Sequence, residues 1–229
     1  MTDVPNALSK KHRLHEYEIV RVLGVGGFGI TYLAFDNHLN KAVAIKEYLP
    51  NDLAVRVEGH SVLAKSEADR ENFDWGLDRF MDEARTLARF EHSSIIRVIR
   101  FFRAHETAYI VMEYIEGETL AAHLRDHDPL DEDELKTILL PLVDGLEQVH
   151  QAELLHRDIK PDNIMLRADG SPVLIDFGAA RQQVVGRSRS ISAVVSIRFS
   201  PHEQYWTRGH QGPWTDIYAL GAVCYLSLT

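Results

Sequence analysis

The octapeptide HRDIKPDN, residues 156–163, gathers groups that can move a proton and hold a cation. Asp158 stands between Arg157 and Lys160, and Pro161, Asp162 and Asn163 follow. Ion pairs on a helix want spacings of three or four residues, and proline excludes a helix interior, so the stretch reads as a loop with fixed side-chain directions. A solvated charged loop is the plain alternative. The acid of the downstream D-F-G, Asp176, favours the chemical reading. Asn163 and Asp176 offer the hard oxygen donors that Mg²⁺ prefers, and Mg²⁺ accompanies nucleotide phosphates. Asp158 can then accept a proton from an incoming hydroxyl, while Lys160 balances the charge of a γ-phosphoryl group in transfer.

A second group upstream could cradle the phosphates. In LGVGGFGITYLA, Gly24, Gly26 and Gly29 have G-x-G-x-x-G spacing, which lets backbone amides approach phosphate oxygens. Alone this is a weak signal, because many tight turns hold three glycines. A dinucleotide fingerprint would open a helix, whereas here the strand-like ITYLAF follows, so the loop reads as a hairpin lid over a nucleotide. VAIK then sets Lys46 in an apolar strand. A solvent-facing lysine is the ordinary reading of such a position. Beside the glycine loop it becomes a cation for the α- and β-phosphates, and it needs a carboxylate to hold it. Glu83 in FMDEARTL is the first candidate, with Asp82 and Glu91 as alternatives should the helix phase differ.

The elements that must position these groups change character along the chain. From Tyr17 come short β-rich runs: YEIVRVLG, ITYLAFD, KAVAIKEYL, IIRVIRFFRA and TAYIVMEYI, with HLNKA (38–42) as a hairpin turn. Residues 74–90 form a helix in which Leu77, Phe80, Met81, Ala84, Leu87 and Ala88 make one apolar stripe. LAVRV and SVLA before it read as a small hairpin. After Gly117 the pattern turns helical: TLAAHLRDH, then a longer helix opening at DPLDEDEL and containing Pro141, and finally WTDIYALGAVCYLSLT. The strands NIML and PVLID lie between them, followed by an irregular stretch over 176–205.

Composition narrows the classes. With 229 residues, 45% hydrophobic and 26% charged, the chain is an ordinary globular sequence. Its formal charge of −9 argues against nonspecific binding to nucleic acid or anionic membrane. The one cysteine, Cys224, allows no internal disulfide and fits a reducing compartment. No secretory leader and no long apolar segment is visible, so the expected location is cytoplasmic, with a membrane anchor open for a longer parent protein.

Taken in order, these motifs resemble the eukaryotic-like (Hanks-type) serine/threonine protein kinases, with a bacterial flavour in GGFGITYLA, IKEYLP and GPWTDIYALGA. The resemblance runs from about residue 17 to the end. It implies an α+β bilobal fold: a flexible lead-in (1–16), a β-rich N-lobe with one regulatory helix (17–116), and a mostly helical C-lobe (117–229) lacking its last helices. It implies ATP with Mg²⁺, or alternatively Mn²⁺, and protein substrates carrying Ser or Thr. The catalytic set is Asp158, Lys160, Lys46 and Glu83, and the metal ligands are Asn163 and Asp176. The nucleotide would also meet Gly24, Gly26, Gly27, Phe28, Gly29 and Ala44, with Met112 as gatekeeper and Glu113 and Ile115 pairing with adenine through their backbone. Leu87, Val98, His156 and Phe177 would stack as a spine anchored by Asp216. Arg157 beside the catalytic aspartate implies switching by phosphorylation, with Ser188, Ser190 and Ser192 as candidate sites and Ser196 in a structural position.

Departures from the family pattern are equally definite. Lys46 and Glu83 are farther apart than usual, which implies an insertion at about 47–74 that is a docking surface or a decorated loop. The customary A-P-E reads SPHEQY, and Glu203 lacks the arginine that the family supplies later in its chain. The sequence stops soon after Asp216, so an apolar face around Leu220, Val223 and Leu226 would need cover, for example by self-association through the last helix. These departures keep a second reading open, a nucleotide-binding scaffold or inactive fragment. The intact Lys46, Asp158, Asn163 and Asp176 favour the kinase.

Overall fold

The computed structural model describes residues 4–57, 60–177, 198–205 and 209–229. The chain divides into two compact units, Met1–Arg89 with Arg97–Tyr114, and Phe90–Ile96 with Ile115–Thr229.

The first unit is built on one antiparallel sheet. Its strands are β1 (Arg13–Leu14), β2 (Tyr17–Gly26), β3 (Gly29–Asp36), β4 (Lys41–Tyr48), β7 (Val98–Ala104) and β8 (Thr107–Glu113), in the order β1-β2-β3-β4-β8-β7. Between β3 and β4 the chain turns where expected. The Asp36 carboxylate accepts the N–H groups of His38 and Leu39 at 2.9 and 2.8 Å, and Asn40 takes a left-handed φ of 51°. Alternation along β4 splits its side chains between two faces. Val43 and Ile45 join Ile19, Ile30, Tyr32, Ala34, Tyr109 and Val111 in one core. On the other face the Tyr48 ring lies 5.4 Å from Phe73 and 5.5 Å from Phe80 of α1 (Glu67–Leu87).

The helix α1 starts earlier than the periodicity over 74–90 predicts. Ser66 caps it, accepting from Asp69 N–H, and Glu67 and Asp69 place negative charge in its first turn. Phe73 extends the buried stripe of Leu77, Phe80, Met81, Ala84 and Leu87 back by a turn, while Ala88 is the exposed C-cap. Thus the stretch read as an insertion contains the hairpin β5 (Ala54–Arg56) with β6 (Val62–Ala64) and the opening turns of α1.

Two features of this unit depart from a plain reading of the sequence. Residues 4–16, expected to be loose, lie on the sheet: Leu8 and Leu14 are buried in the core, and Leu8 N–H donates to the Tyr32 hydroxyl at 3.1 Å. Lys11 N–H donates to Ile19 O at 2.8 Å, and Ile19 N–H returns a bond to His12 O at 2.9 Å. Two leucines suffice because both land on the sheet's apolar side. The second difference is Glu47, an unremarked strand residue that is fully buried. Its carboxylate accepts from Tyr32 at 2.7 Å, from Tyr109 at 2.5 Å and from Arg56 at 2.5 Å. Burial first, then the Glu47 charge, pushes both tyrosine hydroxyls upward in pKa. Arg56 also donates to the carbonyls of Asn6 (2.7 Å) and His60 (2.6 Å), so one guanidinium joins the lead-in, the hairpin and the sheet.

In the second unit, β9 (Gly117–Thr119), β10 (Ile164–Arg167) and β11 (Pro172–Leu174) form a small sheet in the order β11-β10-β9. Helix α2 (Leu120–Asp126) follows β9 directly, with Thr119 as its cap. Helix α3 (Glu132–Gln151) opens with a full capping box between Asp131 and Glu134 and continues through Pro141. It packs against α4 (Pro213–Ser227). The apolar face expected to need cover is corrected by this contact: Leu220 and Val223 are buried, and only Leu226 of the three is exposed. With Leu226, the large apolar side chains of α4 that face solvent are Trp214, Ile217, Tyr218 and Tyr225. No helix among the described residues is long and apolar enough to cross a membrane.

One packing detail of the first unit sets a pH dependence. The rings of His12, His60 and His105 cluster, with His12 4.2 Å from His60 and 5.3 Å from His105, and the Tyr109 hydroxyl lies 3.0 Å from His105 Nδ1. Burial, the two neighbouring imidazoles and Arg56 lower the His12 pKa from 6.5 to about 4. The folded protein therefore keeps His12 neutral in a window where the unfolded chain protonates it, and acidification through that window favours unfolding. Chemical denaturation at pH 7 and pH 5 should show a loss of stability at the lower pH that His12→Phe reduces. An equal loss in both proteins would remove His12 from the account.

Candidate active site

Each unit carries its own part of the predicted site. In the first unit the glycine-rich segment is the hairpin between β2 and β3, with Gly26 opposite Gly29 and Gly27–Phe28 at the tip. The tip is tied down behind: Leu49 N–H donates to Phe28 O and Asn51 N–H to Gly27 O, both at 3.0 Å. Gly29 is required by close approach, since a Cβ there would stand 1.9 Å from the Glu47 carbonyl oxygen. Gly24 and Gly27 have open space where a Cβ would be. That openness is what a cradle for an anion needs.

Lys46 is half-buried on β4, paired with Thr31 of β3 and Ile110 of β8. Strand alternation puts it on the face of Ala44 and Tyr48, the face covered by Phe73 and Phe80 of α1. Glu83 lies on that helix, one turn beyond Phe80, and is buried. Asp82, the first alternative, instead meets Arg85 at 2.6 Å on the exposed side, and Glu91 lies beyond the end of α1. Met112 on β8 stands opposite Ala44 and Val98, and Glu113 N–H is committed to Arg97 O at 3.0 Å.

In the second unit the HRDIKPDN loop is the centre of a polar cluster. The Asp158 side chain is almost wholly buried. Asn163 Nδ2 donates both to Asp158 Oδ2 at 2.9 Å and to Asp158 O at 2.7 Å, and Lys160 Nζ stands 3.3 Å from the same carboxylate oxygen. A 3₁₀ turn, Pro161–Asn163, makes this geometry, and Ile175 N–H holds the Asn163 carbonyl at 2.9 Å. With both protons of its amide engaged on Asp158, Asn163 retains Oδ1 as an acceptor. Asp176 supplies a carboxylate from the adjoining loop, at φ 61°. Two oxygen donors of this type suit Mg²⁺, which takes few protein ligands and keeps water or phosphate in the remainder of its shell.

The loop is held from beneath by Asp216 in the first turn of α4. Its carboxylate accepts His156 N–H at 2.9 Å, Arg157 N–H at 2.7 Å and His150 Nε2 at 2.8 Å. Burial alone would raise the pKa of this acid, but the His150 bond, the His156 imidazole and the two peptide N–H groups outweigh it and leave the pKa lowered. His156 is fully buried, donates Nε2–H to Ile175 O at 2.9 Å and accepts Asp158 N–H on Nδ1 at 3.2 Å. Desolvation lowers its pKa and keeps this tautomer neutral. The Phe177 ring lies 4.4 Å from the imidazole, so His156, Phe177 and Asp216 come together as expected.

Two further residues complete the support. Gln204 Nε2 donates to Arg157 O at 2.8 Å, a brace that no local pattern singles out. Glu203, expected to lack its family's arginine partner, accepts instead from Thr215 Oγ1 at 2.9 Å, because the turn His202–Tyr205 carries it to the start of α4. Ser188, Ser190, Ser192 and Ser196 lie outside the described residues.

Comparison with known proteins fixes the class to which this fold and loop belong. Residues 17–229 match the family described as protein kinase domain, and the chain belongs to that family. Serine/threonine-protein kinase PknA of Nostoc sp. is 33% identical over 226 residues, which are 94% of this chain and 37% of the relative. Serine/threonine-protein kinase PrkC of Bacillus subtilis is 33% identical across 93% of this chain and 30% of its own. The chain thus spans well under half of these relatives. Among solved structures, one described as PpkA-294 apo form is 42% identical with a TM-score of 0.87, covering 97% of this chain and 78% of that one. The Mycobacterium tuberculosis PknI kinase domain, solved as a point mutant, gives a TM-score of 0.71 at 25% identity, covering 97% of this chain and 77% of its own.

The glycine hairpin yields a paired test. Gly29→Ala should cost about 2 kcal/mol, because backbone rather than a pliant side chain fills the space, while Gly27→Ala should stay within about 0.5 kcal/mol. Urea unfolding of both variants checks the contrast, and equal stabilities would contradict the close approach.

Proposed function

We propose that the chain transfers the γ-phosphoryl group of ATP to serine or threonine hydroxyls of proteins. The observation that carries this reading is the buried Asp158 carboxylate, oriented by Asn163 and faced by Lys160 in one rigid turn. A carboxylate so held can take the proton of an attacking hydroxyl, and Lys160 lies where it can neutralise charge as phosphoryl transfer proceeds. Asn163 Oδ1 and the Asp176 carboxylate would hold Mg²⁺, with Mn²⁺ as an alternative. Bound metal supplies charge neutralisation at the phosphates.

The first unit would contribute the phosphate cradle of Gly24, Gly26, Gly27, Phe28 and Gly29, and Lys46 held by Glu83. Ala44, Met112, Glu113 and Ile115 would meet the adenine. We assign residues 17–116 to an N-lobe with an insertion at about 47–74, and 117–229 to part of a C-lobe. Arg157 points to control by phosphate on Ser188, Ser190 or Ser192, placed there by the protein's own activity. The exposed Trp214, Ile217, Tyr218 and Tyr225 of α4 offer a surface for self-association. The lone cysteine suits a cytoplasmic setting.

Intact-mass spectrometry after incubation with Mg·ATP tests the reading. The protein should gain phosphate masses, and Asp158→Asn should slow that gain at least about 100-fold. If the wild-type chain gains no mass and phosphorylates no Ser/Thr peptide, the kinase reading fails.

A further inference from the structure

A cluster in the second unit has chemistry that phosphoryl transfer does not use. Glu118 on β9, His123 in α2 and His127 at the C-cap of α2 each place one ligand atom within 4.8 Å of the others. Glu118 Oε1 and His123 Nδ1 are 3.0 Å apart. The His123 and His127 rings stack with centroids 4.3 Å apart and planes at 18°. His127 Nδ1 bonds to the His123 carbonyl at 3.0 Å, which puts its lone pair on Nε2. An imidazole that donates one N–H to a backbone carbonyl has the arrangement usual for a metal ligand, with tautomer and ring direction fixed.

The spacing is close to that of a coordination shell. With Zn–N and Zn–O of 2.0–2.2 Å in a tetrahedron, neighbouring ligand atoms stand about 3.3–3.6 Å apart. Glu118 and His123 are already near that separation, with a shared proton where a metal would bind. His127, with its ligand atom within 4.8 Å of the other two, would close the remaining gap by a small shift of the end of α2 that keeps its bond to the His123 carbonyl. Two imidazoles and a carboxylate favour a borderline transition ion over Mg²⁺ or Ca²⁺. The supporting backbone is fixed: Glu118 is in register with Leu166 of β10, and Thr119, the next residue, caps the helix that carries the histidines. Glu118 and His123 also line an open groove with Leu166, Arg167 and Gly170, leaving room for a water as fourth ligand.

The other histidine group, His12, His60 and His105, lies under the positive field of Arg56 and is unsuited to a cation. We propose that Glu118, His123 and His127 form a Zn²⁺ site with three protein ligands and an open fourth position. Metal there would clip β9 to the far end of α2. Because β9 pairs with β10, whose first residue follows Asn163, the clip would brace the strand leading out of the catalytic turn.

Zn²⁺ titration of the full chain against a chromophoric chelator, with Co²⁺ absorption as a second readout, tests this. One equivalent should bind, and Co²⁺ should give the intense visible bands of a tetrahedral centre. His123→Ala and His127→Ala should each weaken binding about 10- to 100-fold and abolish those bands, while His105→Ala leaves both unchanged. Affinity should fall on acidification as protons compete for the ligands. These side chains are not in the core, so matching apo unfolding curves for wild type and variants separate lost ligands from lost fold. Absence of a tight equivalent in the wild type, or unchanged binding in His123→Ala/His127→Ala, overturns the site.

Discussion

The Asp216 carboxylate, wholly removed from solvent, is the constraint on which the HRDIKPDN turn depends. An ionised acid in that position is tolerable only because two consecutive peptide N–H groups and an imidazole point at it. Those peptides belong to His156 and Arg157, so the requirement to satisfy the charge fixes the backbone just ahead of Asp158. From there the order passes along short bonds: Asp158 N–H to His156, Asn163 to Asp158, Ile175 to Asn163. Removing one partner of such a buried charge costs about 3–5 kcal/mol, enough to loosen the turn as well as to weaken the fold.

The first unit obeys a similar rule through Glu47. Consecutive residues on β4 face opposite ways, so Lys46 looks toward α1 while Glu47 is driven into the core. Two tyrosines and Arg56 meet the buried carboxylate, and Arg56 recruits the lead-in and the hairpin in doing so. The hairpin runs through Lys65 into the Ser66 cap of α1, and Lys65 N–H is itself fixed to Leu53 O at 2.8 Å. The placement of the helix bearing Glu83 therefore rests partly on residues that carry no chemistry of their own.

Much of this was legible in the sequence where local pattern and chemistry coincide. The strands β2, β3, β4 and β8, the turn after Asp36, the capped helix α3 and the HRDIKPDN loop all announce themselves by alternation, turn residues or caps. What was hidden is long-range. The start of α1 depends on Phe73 finding Tyr48, and the order of residues 4–16 depends on Leu8 and Leu14 finding the sheet. Glu47 reads like any strand acid until Arg56, Tyr32 and Tyr109 are brought to it. Likewise no periodicity separates Leu220 and Val223 from Tyr218 and Tyr225 on so uniformly apolar a helix; contact with α3 decides which face is inside. Gln204 and Thr215 acquire their roles only from the path of the chain around them.

Arg157 and Asp176 both adopt left-handed backbone angles, with φ of 66° and 61°. A residue with a Cβ gives up about 1–2 kcal/mol there, which glycine would recover. The sequence accepts that cost at both positions, as it also does at Asn40 and His105 in turns of the first unit. A search for tougher variants judged on thermal resistance alone would be drawn to glycine at Arg157 and Asp176. It would return a sturdier fold without the two side chains on which the proposed activity and its control rest, so the pair marks where durability and the proposed turnover would part company.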